Sequence, residues 1–308
     1  MQITIRAEAP AARARFISVE EGFNIKRPVL APRSFAAERA QALDPKTPTG
    51  VILLDSSDIL RTPFPATTPL LLAKFLKLKA GEEWRQQLRA SGEIYYVVRG
   101  EGRSEQEGGE GIVWKAGDIF CLPGGAETLH SAGASDAVLY MVTDEPMLHF
   151  LGTEPPPPQT SPIETVCYSA EHIARQLKAL YARSLGPETA GRALFLTSRK
   201  MEAMHTCMPA LTLTLNAVLP GEKQPPHRHN AAALVFIIKG GPVQSRIGDA
   251  ALPWEENSVL LTPPNAVHSH ENLGDSDAVA LIVQDGALHY HCRTMGFAFA
   301  DEKQGAGR

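Results

Sequence analysis

Aromatic residues are scarce in this chain of 308 residues, with Phe, Trp and Tyr together at 6%. Only four cysteines occur, Cys121, Cys167, Cys207 and Cys292, and no two stand in a CxxC spacing. That excludes a disulfide framework and a zinc-ribbon pattern, and it fits a reducing cytoplasm. No apolar run approaches the roughly 18 residues needed to cross a bilayer. The opening Met-Gln-Ile-Thr-Ile-Arg has no apolar stretch ahead of a small-residue cleavage site, so no signal peptide is expected. Positive charge is not in excess either: Lys+Arg 30 stand against Asp+Glu 34, for a formal net charge of -4. Nucleic acid and anionic membrane surfaces both need clustered positive charge, so neither is expected as a partner.

What the chain does have is turn-formers, 25 Gly and 24 Pro, set between short β-branched runs. That texture predicts β structure. The length predicts about two domains at roughly 150 residues each, each large enough for its own core.

An internal repeat sharpens this. Gly81-Glu82 superposes on Gly221-Glu222 at an offset of 221 − 81 = 140. The same offset places Gly100 on Gly240, Pro123 on Pro263, His130 on His270 and His149 on His289. Two copies of one module are therefore expected, near residues 55–150 and 195–292. In each, apolar runs alternate with Gly, Pro and Asn turns, as in a small antiparallel barrel or jelly roll. Runs at 69–79, 93–99, 117–120 and 137–142 answer to runs at 210–219, 233–239, 258–261 and 278–283. The expected organisation is an N-terminal arm (1–54), a first barrel (55–152), a linker with a helix (153–194) and a second barrel (195–300). The linker opens on Glu154-Pro155-Pro156-Pro157-Pro158, a stiff extended stretch. Ser169 is placed to cap a helix over 171–182 with Ile173, Leu177 and Leu180 on one face. Residues 301–308 read as a disordered tail.

Chemistry concentrates in the second copy. Six of ten histidines lie between His227 and His291. In a strand His227 and His229 share a face, with Arg228 turned away, and a turn at Pro263 and Asn265 could deliver His268 from an adjacent strand. Three converging neutral imidazoles suit a divalent first-row metal. The first copy has Gln87, Arg89 and Thr128 at these positions, which hold no metal. His270, two residues after His268, is a candidate catalytic proton-handling group, although its mate His130 in the first copy equally supports a structural role. For His289 a structural role is expected, because His149 is its mate. Glu82 and Glu222 are expected to face water.

These residues resemble the cupin superfamily. Glu93-x6-Gly100 and Gly117-x5-Pro123-x-Gly125 carry its pattern in the first copy; Gly221-x5-His227-x-His229 and Pro263-x4-His268-x3-Asn272 carry it in the second. The resemblance implies an all-β fold of two tandem cupin (double-stranded β-helix, jelly-roll) barrels with a short linking helix. Cupins commonly add a Glu ligand, and here Ala233 or Leu234 stands in its place. Within cupins, Pro226-His227-Arg228-His229-Asn230, Ala233-Leu234-x-Phe236 and His268-x-His270-x-Asn272 are similar to the gentisate 1,2-dioxygenase family, as is the stretch from Arg192 to Glu222. That likeness implies Fe(II) on His227, His229 and His268, His270 beside the substrate, and O2-dependent opening of hydroxylated aromatic acids. Two departures stand out: the metal-bearing copy is second rather than first, and the family's carboxylate-gripping Arg is Val235 here. Arg246 and Arg293 are candidates to replace it, and Val235, Phe236 and Leu261 are candidate cavity walls. Two other readings stay open, a Zn, Mn or Ni hydrolase or isomerase and a non-enzymatic small-molecule binder. Barrel edges invite pairing, so a homodimer or larger homo-oligomer is expected.

Overall fold

The apolar runs become the long strands, each ended by turn residues. A computed structural model describes residues 10–186 and 189–300; the expected tail at 301–308 lies outside the described residues. Leu72–Leu78, Gly92–Arg99 and Ala137–Thr143 answer in the second copy to Thr212–Val218, Ala233–Lys239 and Ala278–Gln284. The two Gly-Glu turns carry Gly81 and Gly221 at φ 71 and φ 72, a left-handed conformation that costs a residue without Cβ little. Glu222 departs from expectation: it is an ion-pair partner of Arg192 at 2.9 Å and accepts the Leu219 N–H at 2.9 Å, bracing the turn rather than facing water.

Each copy is two antiparallel sheets facing one another. In the first, a six-stranded sheet runs Val166–Tyr168, Ile119–Pro123, Gly92–Arg99, Ala137–Thr143, Leu72–Leu78, Gly50–Leu53. It faces a four-stranded sheet of Glu83–Gln87, Glu127–Ala132, Glu101–Gln106 and Ile112–Lys115. In the second, Arg33–Ser34, Val259–Thr262, Ala233–Lys239, Ala278–Gln284, Thr212–Val218 and Arg192–Phe195 make the six-stranded sheet. Its five-stranded partner is Ala250–Pro253, Val243–Ile247, His268–Asn272, His227–Arg228 and Ala298–Phe299. Both larger sheets thus recruit strands from the arm and the linker. The arm serves both barrels, Arg33–Ser34 pairing in the second and Gly50–Leu53 in the first. The linker helix forms at Ala170–Tyr181 with Ser169 capping the His172 N–H. No helix among the described residues is long and apolar enough to cross a membrane.

The two six-stranded sheets pack back to back. Phe236 meets Tyr140 at 4.6 Å, Tyr96 at 5.1 Å and Phe75 at 6.4 Å between ring centroids. Around these rings Ile94 and Val142 of one sheet join Leu213, Leu215, Leu234, Leu261 and Leu281 of the other in one buried cluster. Phe236 and Leu261, expected as cavity walls, therefore belong to the seam between barrels. The period of two turns their neighbours Val235 and Leu260 inward instead.

The first barrel is filled. Tyr95 stacks on Phe120 at 4.6 Å inside it, with Leu76, Leu139 and Met141 around them. A hydrogen-bonded chain crosses this interior. Trp114 Nε1 donates to Ser104 Oγ at 2.8 Å, and Ser104 Oγ meets His130 Nδ1 at 2.7 Å. His130 Nε2 then meets the Tyr95 hydroxyl at 3.2 Å, and that hydroxyl donates to Glu93. Glu93 is fully buried and its Oε1 has no partner. Burial pushes its carboxyl up from 4.5 to about 7, against the hydrogen bond from Tyr95.

The folded chain therefore holds the Glu93 proton over a window, about pH 4.5 to 7, where the unfolded chain has released it, and stability falls as pH rises through that window. The full loss is on the order of 3 kcal/mol. Glu93→Gln keeps an acceptor for Tyr95 and removes the titration. Urea unfolding at pH 5 and pH 8 is expected to show the variant gaining on the wild type at the higher pH. Some slope remains from Asp285, which burial also pushes to about 7.

Candidate metal centre

In the second barrel the residues that fill the first are pared away. Positions occupied by Glu93 and Tyr95 in the first copy hold Ala233 and Val235 in the second, and a cavity of about 340 Å³ opens between the sheets. His227 pairs directly with His268 across adjacent strands. The strand bearing His227 ends at Arg228, which is exposed, and His229 follows it, buried. The Pro263 turn carries Asn265 at φ 62, a left-handed conformation that Asn tolerates, and the Asn265 N–H donates to the His229 carbonyl at 2.7 Å. The turn thereby ties the backbones of the two histidine-bearing segments together.

The ligand atoms of His227, His229 and His268 all lie within 4.8 Å of one another. Each Nδ1 faces a backbone carbonyl: Pro225 at 3.0 Å, Ala231 at 2.8 Å and Ala266 at 2.9 Å. A carbonyl only accepts, so each Nδ1 carries the proton and each Nε2 keeps its lone pair for the interior. Burial lowers the pKa of all three, and neighbouring imidazoles add to the effect at His229 and His268. Neutral rings with oriented lone pairs are the protonation state a divalent cation requires, and the set fits one.

His270 repeats the first barrel's chain. Trp254 Nε1 donates to Ser245 Oγ at 2.8 Å, and Ser245 Oγ meets His270 Nδ1 at 2.9 Å. Ser104 and Ser245 are related by 245 − 104 = 141, one residue off the general offset, which hid the pair from the repeat comparison. In the first barrel the Tyr95 hydroxyl spends its proton on Glu93, so His130 Nε2–H donates to Tyr95 and Ser104 gives its proton to Nδ1; the same tautomer in the second barrel makes His270 Nε2–H the donor. In the first barrel that donor meets Tyr95; in the second it has no tyrosine to meet, and His270 lines the cavity. Burial holds its pKa down, to about 3.

Of the other sequence candidates, Arg246 is an exposed partner of Glu271 at 3.4 Å, and Arg293 bonds the His291 carbonyl; neither lines the cavity. Val235 does. His289 is structural: its Nδ1 meets Asn230 Nδ2 at 3.0 Å, and Asn230 also holds Thr294 O and Gly296 N. That anchorage brings in a segment the sequence reading missed, in which Met295 and Phe297 reach the cavity and the Phe297 ring lies 5.5 Å from His227. Gln284 (Nε2 3.4 Å from His229 Nε2), Asn216 and Gln224 were missed too.

Two antiparallel sheets closed on one another, six- and four-stranded in the first copy and six- and five-stranded around the histidine cluster in the second, make two tandem barrels of the cupin fold. A cupin domain of the Cupin_2 family is recognised at residues 215–284. More particularly, part of the chain is similar to gentisate dioxygenases and related ring-cleaving enzymes. It is 32% identical over 99 residues to gentisate 1,2 dioxygenase 1 of Aquipseudomonas alcaligenes, covering 32% of this chain and 28% of that protein. It is 34% identical over 122 residues to a 5-aminosalicylate 1,2-dioxygenase of a Comamonas species, covering 39% and 26%. The matched segments thus span about a quarter of these relatives. Salicylate 1,2-dioxygenase from Pseudaminobacter salicylatoxidans shares the fold at a TM-score of 0.72 and 13% identity, over 89% of each chain.

Ser245→Ala leaves the Trp254 N–H and His270 Nδ1 buried without partners, and Ser104→Ala does the same in the first barrel. Each is expected to cost about 1–3 kcal/mol in urea unfolding. In ¹⁵N spectra of the imidazoles, only Ser245→Ala should release His270 from a single Nε2-protonated tautomer.

Proposed function

We propose that the chain is an Fe(II)-dependent ring-cleaving dioxygenase acting on a small hydroxylated aromatic acid or a related enolic compound. One observation carries the reading: three imidazoles, each pinned through Nδ1, turn their remaining nitrogens toward one another at the wall of a cavity sized for a single ring. His227, His229 and His268 would hold the metal. Bound there, ferrous iron supplies a redox centre for O2 and a Lewis acid for the substrate's oxygens. Phe297 offers a flat wall beside His227, and Val235, Ile282 and Met295 keep water from the ring. His270, the catalytic residue in this reading, donates its Nε2–H to a substrate oxygen. The relatives are named for gentisate, 5-aminosalicylate and 1-hydroxy-2-naphthoate, all hydroxylated aromatic acids, which supports that substrate class.

Anaerobic loading followed by elemental analysis and an oxygen electrode tests this. The wild type is expected to bind one iron per chain and consume O2 with a hydroxylated aromatic acid, whereas His229→Ala binds none. Turnover with Zn, Mn or Ni in the absence of O2 would move the protein to the hydrolases and isomerases. Recovery of every offered ligand unchanged in air would leave a binding protein.

We further propose a homo-oligomer in the cytoplasm. The arm exposes Phe16, Ile17, Val19, Phe23 and Val29, a run of apolar surface that a second copy would cover, and all four thiols are free. Sedimentation is expected to give a dimer or larger, and a chain beginning at residue 31 a smaller species.

A further inference from the structure

One wall of the cavity is polar along its length. Thr212, Thr214 and Asn216 alternate inward along one strand, and Thr212 pairs with Gln284, which neighbours His229. Asn216 is four residues further on, about 13 Å along the strand. Arg192 pairs with Ala217 at that same level, and Gly191 lies against the Gln224 amide. A Cβ at Gly191 would come within 2.3 Å of Gln224 Nε2, so the glycine makes room for the amide. Gln224 is 6% exposed, and its Nε2 has no partner; the Oδ1 of Asn216 is also buried without one. Such groups cost about 1–3 kcal/mol each if left bare, so water or a ligand in the cavity must complete them. Among the described residues that line the cavity there is no Lys, Arg, Asp or Glu.

We infer that Gln224 and Asn216 are the specificity residues of this site, reading an uncharged hydroxyl, amine or amide at the end of the ligand remote from the three histidines. The inference rests on the dioxygenase reading for the metal-chelating end of that ligand. Three neutral imidazoles bring no negative charge to a divalent ion, so the ligand's chelating atoms must supply it. A second anionic group at the far end would be buried with amides and hydroxyls only, and without a counter-charge that is costly. Two amides, in contrast, satisfy a neutral donor and acceptor.

Co(II)-loaded protein without oxygen provides the test, because its visible spectrum reports ligand binding whether or not a ring is cleaved. The probes are salicylate and its analogues with a hydroxyl, an amino group or a second carboxylate at ring position 5, which share one chelating pair. The hydroxyl or amino analogue is expected to bind about tenfold tighter than salicylate, and the second-carboxylate analogue about tenfold weaker. Gln224→Leu should bring the hydroxyl and amino analogues back to salicylate's affinity. Gly191→Ala, which displaces the amide without removing it, should do the same, and Gln224→Lys should favour the second carboxylate. The inference is overturned if the second carboxylate binds the wild type as well as salicylate, if none of the four probes binds, or if both Gln224→Leu and Gly191→Ala leave the preferences unchanged. Preferences as expected with no O2 uptake on the iron-loaded protein would retain these specificity residues while removing the dioxygenase.

Discussion

A sheet buried on both faces governs this molecule. The six-stranded sheet of the second barrel has the other barrel behind it and the cavity in front, so successive residues along each strand are divided between two different jobs. Leu213 and Leu215 go to the seam while Thr212, Thr214 and Asn216 line the cavity. Leu234 and Phe236 go to the seam while Ala233 and Val235 line the cavity. A slip of one residue would put Phe236 among the histidines and expose threonines to an aromatic core. The seam thereby fixes the register on which the histidine cluster depends, and Phe236 against Tyr140 is its centre.

The two barrels show how a cavity arises by subtraction. Both keep the buried Trp–Ser–His chain, Trp114–Ser104–His130 in one and Trp254–Ser245–His270 in the other. In the first the chain runs on to Tyr95 and Glu93 and ends inside the protein. Val235 and Ala233 remove those two side chains from the second, so the same chain ends at open space. His270 is thus held through one nitrogen and turned toward the cavity with the other, so the structural role it shares with His130 leaves the catalytic one open. The first barrel, with its interior occupied, serves as the wall against which the second is built.

Much of this was legible from residues alone. The repeat, the long strands and the capped helix at Ala170–Tyr181 follow from period, punctuation and Ser169. The histidine trio was visible because His-x-His is rare and its first-copy counterparts are Gln87, Arg89 and Thr128. Other parts left no such mark. Ala298–Phe299 and Arg33–Ser34 are strands of two residues, too short for any period to show. Gln224 and Asn216 look like solvent-facing polar residues until a barrel closes over them. Phe236 and Leu261 were assigned to the wrong face because an apolar run buried on both sides has no alternation to orient it.

The arm's short strand has a consequence for how the chain assembles. Arg33 pairs with Leu261, a separation of 261 − 33 = 228 residues. Synthesis releases the arm long before its partner strand exists, and the first barrel, with Gly50–Leu53 already at its edge, is complete well before then. The arm's strand has no partner until Val259–Thr262 has left the ribosome. Every other strand of the second barrel lies between residues 192 and 299, so that barrel can close as a unit before the arm's two-residue strand docks on its rim as a late step.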